Sequence, residues 1–123
     1  HGAGDQVLRD IGTLLRLHVR KSDLPARLGG DEFGIILYHT NAEQAEMFVE
    51  NFLNGVREYA FEYDGFRLNV GLSVGIAQFD AFMKAPQALY YGADHALYQS
   101  KKAGRDRYSV FSEAAHSQER QAS

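Results

Sequence analysis

At 123 residues and 45% hydrophobic, the chain has the size and apolar content of one compact domain with a single core. Cysteine is absent, which excludes disulfides and thiolate metal sites and permits an intracellular setting. Thirteen basic residues against sixteen acidic ones leave a formal charge of −3, which argues against the broad phosphate-backbone footprint of a DNA or RNA binder.

Small anionic ligands held by one or two placed cations remain open. The five histidines (His1, His18, His39, His95 and His116) are scattered without metal-ligand spacing. No apolar run is long enough to span a bilayer, and no signal-peptide pattern opens the sequence as given.

In chain order, Val7, Leu8, Ile11, Leu14, Leu15 and Val19 fall at intervals of three and four, which predicts a helix from Gly4 to about Lys21. Pro25 cannot continue it. A strand is expected at Ala26 to Leu28 and a second over Phe33 to Tyr38, and the Gly29-Gly30 turn between them reads as a hairpin. Thr40 with Glu43 three residues on is a capping-box signature for the next helix, whose stripe is Ala45, Phe48, Val49, Phe52, Leu53 and Val56. Asp64-Gly65 between Phe61-Glu62-Tyr63 and Phe66-Arg67-Leu68 is a strong two-residue hairpin signal. The strand is expected to run on through Val70, Leu72, Val74 and Ile76. The alternate positions Gly71, Ser73, Gly75 and Ala77 are small, which suits a face approached closely by other backbone. Pro86 fits the first turn of a third helix carrying Leu89, Ala93, Ala96 and Leu97, with Gly104 placed to end it in a left-handed cap. Tyr108 to Phe111 reads as a last strand, and the polar stretch from Ser112 as a solvated tail or linker. Helices alternating with mostly antiparallel strands predict a two-layer α/β sandwich with its helices on one face. A sheet under three helices is expected to have more strands than these, so the sequence is expected to begin partway into a domain.

The densest chemical signal is Arg27-Leu28-Gly29-Gly30-Asp31-Glu32-Phe33. Two glycines allow positive φ and close ligand approach, and adjacent carboxylates on a tight turn offer hard oxygen ligands of the kind that suit Mg²⁺. Read alone, the stretch is equally an ordinary hairpin with solvated acids. Lys101 and Arg105, four apart where a helix ends, are likewise either anion ligands or a solvated basic helix end.

Gly29-Gly30-Asp31-Glu32-Phe33 is identical to the signature of the GGDEF family of diguanylate cyclases. His1 to Asp5 resembles the segment opening the second half of that family's nucleotide site. Val70 to Ala77 resembles its core strand, and Ala93 to Tyr98 with Gly104 to Arg107 its closing helix and turn. The resemblance covers residues 1–111, leaving 112–123 as a tail or linker. It implies a ferredoxin-like, nucleotidyl-cyclase-type α/β sandwich, mostly antiparallel, with its first strand missing. It also implies condensation of two GTP into cyclic di-GMP and pyrophosphate with Mg²⁺ or Mn²⁺, by two domains facing each other in a homodimer. By the same resemblance Asp31 would be a metal ligand, and Glu32 would support the site and help deprotonate the attacking 3′-hydroxyl. Gly29 and Gly30 would admit ribose and phosphates, Asp5 would accept from the guanine edge, and Lys101 and Arg105 would reach the terminal phosphates. Arg20-Lys21-Ser22-Asp23 is an R-x-x-D ahead of the glycines at the spacing of the family's product-inhibition site, so Arg20 and Asp23 would bind cyclic di-GMP. A cytoplasmic setting in bacterial signalling is expected, any sensor, EAL domain or membrane anchor lying outside this segment.

The sequence departs from the family pattern at four points. The first strand, which carries a further metal-ligand Asp, a Phe-Lys turn and a guanine-reading Asn, precedes the matched segment, so this segment alone is expected not to cyclise GTP. Gly71 stands where Thr is commoner, Asp106 where Asn is commoner, and Asn51 where an Arg often completes the inhibitory site. Three readings follow: an active cyclase, a module that binds GTP or cyclic di-GMP to regulate an attached domain, and a scaffold.

Overall fold

The computed structural model describes residues 2–79 and 83–112. The predicted tail beyond 112 lies outside the described residues. In chain order the elements are α1 (Gly2–His18), β1 (Leu24–Gly29), β2 (Glu32–Ile36), α2 (Ala42–Glu58), β3 (Phe61–Tyr63), β4 (Phe66–Leu68), β5 (Ser73–Ile76), α3 (Pro86–Lys102) and β6 (Arg107–Val110). They fall into two compact units, His1–Thr40 with Glu50–Gly71, and Asn41–Val49 with Leu72–Ser123. The α/β class is as expected from the alternation of helical and strand patterns.

In the first unit, the apolar stripe of α1 buries Ile11 and Leu15, while the second half of α2 buries Phe52, Leu53 and Val56. Burial of such side chains contributes about 1.5–3 kcal/mol each before entropy is counted. The helix stops at His18, three residues short of the predicted end. The His18 imidazole is drawn back onto the Leu14 carbonyl (2.8 Å) and meets the Phe52 ring edge-on at 5.3 Å. β1 and β2 pair antiparallel as predicted, with Arg27 opposite Phe33 and Gly29 opposite Glu32, so the register slips by one residue at Leu28. Phe33 lies beside α1, its Cε1 at 3.7 Å from where a Cβ on Gly12 would be. β3 and β4 form the hairpin that Asp64-Gly65 predicts, with φ of 52° and 80° at those two residues as a type I′ turn requires. Phe61 at its base is buried, edge-on to Tyr59 with ring centroids 4.6 Å apart.

The cap of α2 corrects the predicted one. Asn41, not Thr40, closes the capping box: its Oδ1 accepts the Gln44 N–H (2.8 Å) and the Gln44 Oε1 accepts the Asn41 N–H (2.9 Å). The Thr40 hydroxyl is engaged elsewhere, donating to the Tyr38 carbonyl (2.8 Å) and accepting from Arg20 (2.9 Å). With α2 beginning at Ala42, Asn41 holds the cap position and Thr40 lies one residue outside it.

In the second unit, β5 and β6 run parallel and are joined through α3, a strand–helix–strand crossover. This parallel pair qualifies the mostly antiparallel expectation; the other two pairs are antiparallel. The strand predicted over 70–77 contracts to Ser73–Ile76. Its small residues do admit close backbone. A Cβ on Gly75 would collide with the Ala93 carbonyl oxygen and the Leu97 amide nitrogen of α3, and one on Gly92 would meet the Phe111 ring. Pro86 opens α3 as predicted. No helix among the described residues is long and apolar enough to cross a membrane.

These glycines make opposite predictions. Gly75→Ala forces α3 away from β5 and lowers unfolding free energy by about 1–3 kcal/mol in denaturant titration. Gly12→Ala, in a helix interior with only ordinary contacts nearby, raises it by about 0.5–1 kcal/mol.

Candidate functional site

The hairpin between β1 and β2 turns at Gly29 (φ +146°) and Gly30 (φ +47°). Nothing lies within 4 Å of a Cβ built on either residue. Glycine is therefore required here by backbone conformation, and the bare backbone faces open space. Asp31 follows at the exposed tip, and Glu32, half-buried, opens β2 opposite Gly29. One member of the motif had no role assigned from sequence. Arg27 reaches across the turn, donating from Nη2 (2.6 Å) and Nε (3.1 Å) to the Gly30 carbonyl. The only sequence signal for it is an Arg three residues before the second glycine.

Asp5 lies in the first turn of α1 and is exposed, a carboxylate at the end of the helix that favours negative charge. Lys101 is in the last turn of α3. Arg105, by contrast, does not lie on the helix face that a four-residue spacing implied. The helix ends at Lys102, and the Arg105 N–H returns to the Ser100 carbonyl (2.9 Å) while the Gly104 N–H returns to the Lys101 carbonyl (3.4 Å). This is a Schellman closure, with Gly104 (φ +125°) in the predicted left-handed position. Arg105 (φ +65°) and Asp106 (φ +49°) continue in left-handed backbone.

Arg20 and Asp23 are brought together. The Asp23 carboxylate is buried and accepts the Arg20 backbone N–H (2.9 Å), Nε (3.2 Å) and Nη2 (3.0 Å). Nη2 also donates to the Tyr38 carbonyl (2.8 Å) and to Thr40 (2.9 Å), tying the turn after α1 to the end of β2. The bonds from Arg20 hold the Asp23 carboxyl below its ordinary range against the opposing effect of burial, and the pairing holds Arg20 more firmly protonated.

The donor chemistry of Asp31 fits a hard divalent cation, which is commonly held by one or two carboxylates and completed by phosphate oxygens. Among the described residues no group of three or more His, Asp or Glu side chains forms a cage, so a cation held at Asp31 would need its shell completed by phosphate or further ligands.

The family description "Diguanylate cyclase, GGDEF domain" matches residues 1–107 of this chain. The chain belongs to the GGDEF domain family. It is 34% identical over 110 residues to diguanylate cyclase A of Treponema denticola, covering 89% of this chain and 30% of that relative's length. The crystal structure of the GGDEF domain of TpbB (YfiN) from Pseudomonas aeruginosa superposes with a TM-score of 0.84 at 33% identity, over 91% of this chain and 70% of that one. The GGDEF domain of DgcB from Caulobacter crescentus, solved in complex with cyclic di-GMP, superposes at 0.80 with 26% identity, over 89% and 66% of the two chains. The chain thus spans less than a third of that curated cyclase, and the GGDEF turn is one part of a longer protein in its relatives.

The Arg20–Asp23 pair gives a pH signature. A carboxyl whose folded pKa is depressed stabilises the fold fully above its unfolded pKa, near 3.9, and loses that contribution as pH falls through the lower folded value. Asp23→Asn is therefore expected to melt below the wild type at pH 7, with a gap constant down to about pH 5 that closes in stronger acid. Thermal unfolding across that range checks it.

Proposed function

We propose that the protein carrying this GGDEF domain condenses two GTP into cyclic di-GMP and pyrophosphate. The observation that carries the reading is the hairpin tip, where two left-handed glycines leave open backbone beside the exposed carboxylate of Asp31. Asp31 would hold a divalent cation, Mg²⁺ or Mn²⁺, which when bound would supply charge neutralisation for the triphosphate. The protein's part is positioning. Asp5 accepts from guanine N1–H and its 2-amino group, Gly29 and Gly30 admit ribose and phosphate, and Lys101 and Arg105 neutralise the terminal phosphates. Glu32 supports the turn and helps to take the proton from the 3′-hydroxyl. Each 3′-oxygen then bonds to the other nucleotide's α-phosphorus as the α–β bridge breaks. Pyrophosphate leaves with the charge that Lys101 and Arg105 stabilise. Because each GTP must meet the other head to tail, two copies of the domain act together as a homodimer, at least transiently, in the cytoplasm.

Arg20 and Asp23 are read as the product-inhibition site. The Arg20 side chain is 57% exposed, and its Nη1 makes no bond among the described residues. A planar guanidinium edge of that kind suits a phosphate or the Hoogsteen edge of guanine.

The test uses the full-length protein with GTP and Mg²⁺, product being followed by chromatography and mass spectrometry. Cyclic di-GMP is expected, falling at least about a hundredfold in Asp31→Ala and on chelation of the metal. A folded, dimeric protein that binds GTP and forms no product would instead be a regulatory nucleotide-binding module. In Arg20→Ala, the product concentration giving half inhibition is expected to rise about tenfold or more. Unchanged inhibition would remove the regulatory assignment.

A further inference from the structure

Arg105 occupies a backbone conformation that a long side chain seldom adopts. Its φ of +65° lies between Gly104 at +125° and Asp106 at +49°, a run of three left-handed residues. Asp tolerates this region through its short polar side chain; an arginine there is sterically disfavoured and needs support. The support comes from both sides. The Arg105 N–H donates to the Ser100 carbonyl (2.9 Å), and the Arg105 carbonyl accepts from Nε of Arg107 (3.0 Å). The Arg107 guanidinium also fills the space beside Gly104, where a Cβ would lie 2.8 Å from its Nη2. Ser100, for its part, is wholly buried, its hydroxyl 2.7 Å from the Val74 carbonyl in β5 and 2.8 Å from the Ser109 hydroxyl in β6. One jaw of this clamp is anchored in the core and the other is a surface guanidinium.

We propose that Arg107 is a positioning residue, one that locks the Gly104–Asp106 turn so that Arg105 is presented to the terminal phosphates of a nucleoside triphosphate. The inference rests on reading Lys101 and Arg105 as the triphosphate contacts. Arg107 acts through Arg105, by geometry rather than by its own charge. Lysine could not replace it, because a lysine chain carries a methylene where arginine carries the Nε–H donor.

The experiment is calorimetric titration of the full-length protein, in Mg²⁺, with two ligands. One is a GTP analogue with a methylene bridge between the α and β phosphorus atoms, which cannot be cyclised. The other is GMP, which lacks the terminal phosphates. Arg107→Ala and Arg107→Lys are both expected to weaken analogue binding about five- to tenfold while leaving GMP binding unchanged. Arg107→Ala should add nothing in an Arg105→Ala background, since the two act as one. Wild-type affinity in Arg107→Lys would show that charge alone matters and overturn the proposal. Equal losses for GMP and the analogue, or additive losses with Arg105→Ala, would overturn it too. Should Arg107→Ala not fold, Arg107→Lys, which keeps the length and charge and lacks only the Nε–H donor, is expected to give the ligand-selective loss by itself. If Lys101→Ala and Arg105→Ala both leave analogue binding at the wild-type value, the phosphate reading itself falls, and this inference with it. If only Arg107→Ala is silent while Arg105→Ala is not, the phosphate reading stands and the clamp does not.

Discussion

Left-handed backbone is the constraint on which the rest of this domain depends. The two turns assigned to nucleotide phosphate both enter that region: Gly29-Gly30 ahead of Asp31, and Gly104-Arg105-Asp106 after α3. Glycine adopts such backbone without steric cost in the first turn, whereas in the second Arg105 and Asp106 are non-glycine residues that sterics disfavour there. In both places a nearby arginine donates to a carbonyl inside the turn, Arg27 to Gly30 and Arg107 to Arg105. A guanidinium suits this task because its donors are fixed in one plane and it stays charged at any physiological pH. The two turns differ in sequence and charge, yet they use the same stabilising device.

The Arg20–Asp23 pair is a structural contact that, on the proposed reading, is ligand-directed as well. A buried carboxylate must be paired or become neutral, and Arg20 pairs with Asp23 through its backbone N–H and two guanidinium nitrogens. The same guanidinium reaches Tyr38 and Thr40, so it fixes the turn after α1 to the strand leaving the hairpin. A ligand that recruited Arg20 away from Asp23 would strand a buried charge. A ligand that used the outer edge of Arg20 would gain an oriented cation and leave that pairing intact. Binding at the outer edge is thus the favoured mode, and it demands no rearrangement of the turn.

How far the sequence was legible follows from how local each signal is. Asp64-Gly65 predicts its hairpin to the residue, because a type I′ turn is specified by two residues alone. Pro86 and Gly104 mark the start and end of α3 for equally local reasons. The cap falls one residue later, at Asn41, while the Thr40 hydroxyl meets Arg20, twenty residues earlier in the chain, a contact that no local pattern reveals. Alternation identified β5 as strand but is silent about partner direction, so its parallel pairing with β6 was not visible. The family resemblance nominated Asp31, the two glycines and the basic pair. It did not reveal Arg27 or Arg107, whose tasks are defined by carbonyls that only the folded turns present.

Hydrogen-bond direction at Ser100 bears on how the end of α3 would serve in the phosphate contact proposed above. A serine hydroxyl has a single proton, and the Val74 carbonyl can only accept, so that proton is committed to β5. The bond to Ser109 must then run the other way, with Ser109 donating. This orders both hydroxyls and ties the last turn of α3 to two strands at once. Gly75 brings helix and strand into backbone contact a few residues earlier, and the Ser100 carbonyl carries the tie onward to the Arg105 amide. Lys101 is the very next residue. Its ammonium therefore extends from backbone fixed by a wholly buried neighbour, and the freedom left to it is that of its own side chain. Mobile cations lose much of their binding energy in becoming ordered; backbone fixed before the ligand arrives removes that part of the cost from Lys101 and Arg105.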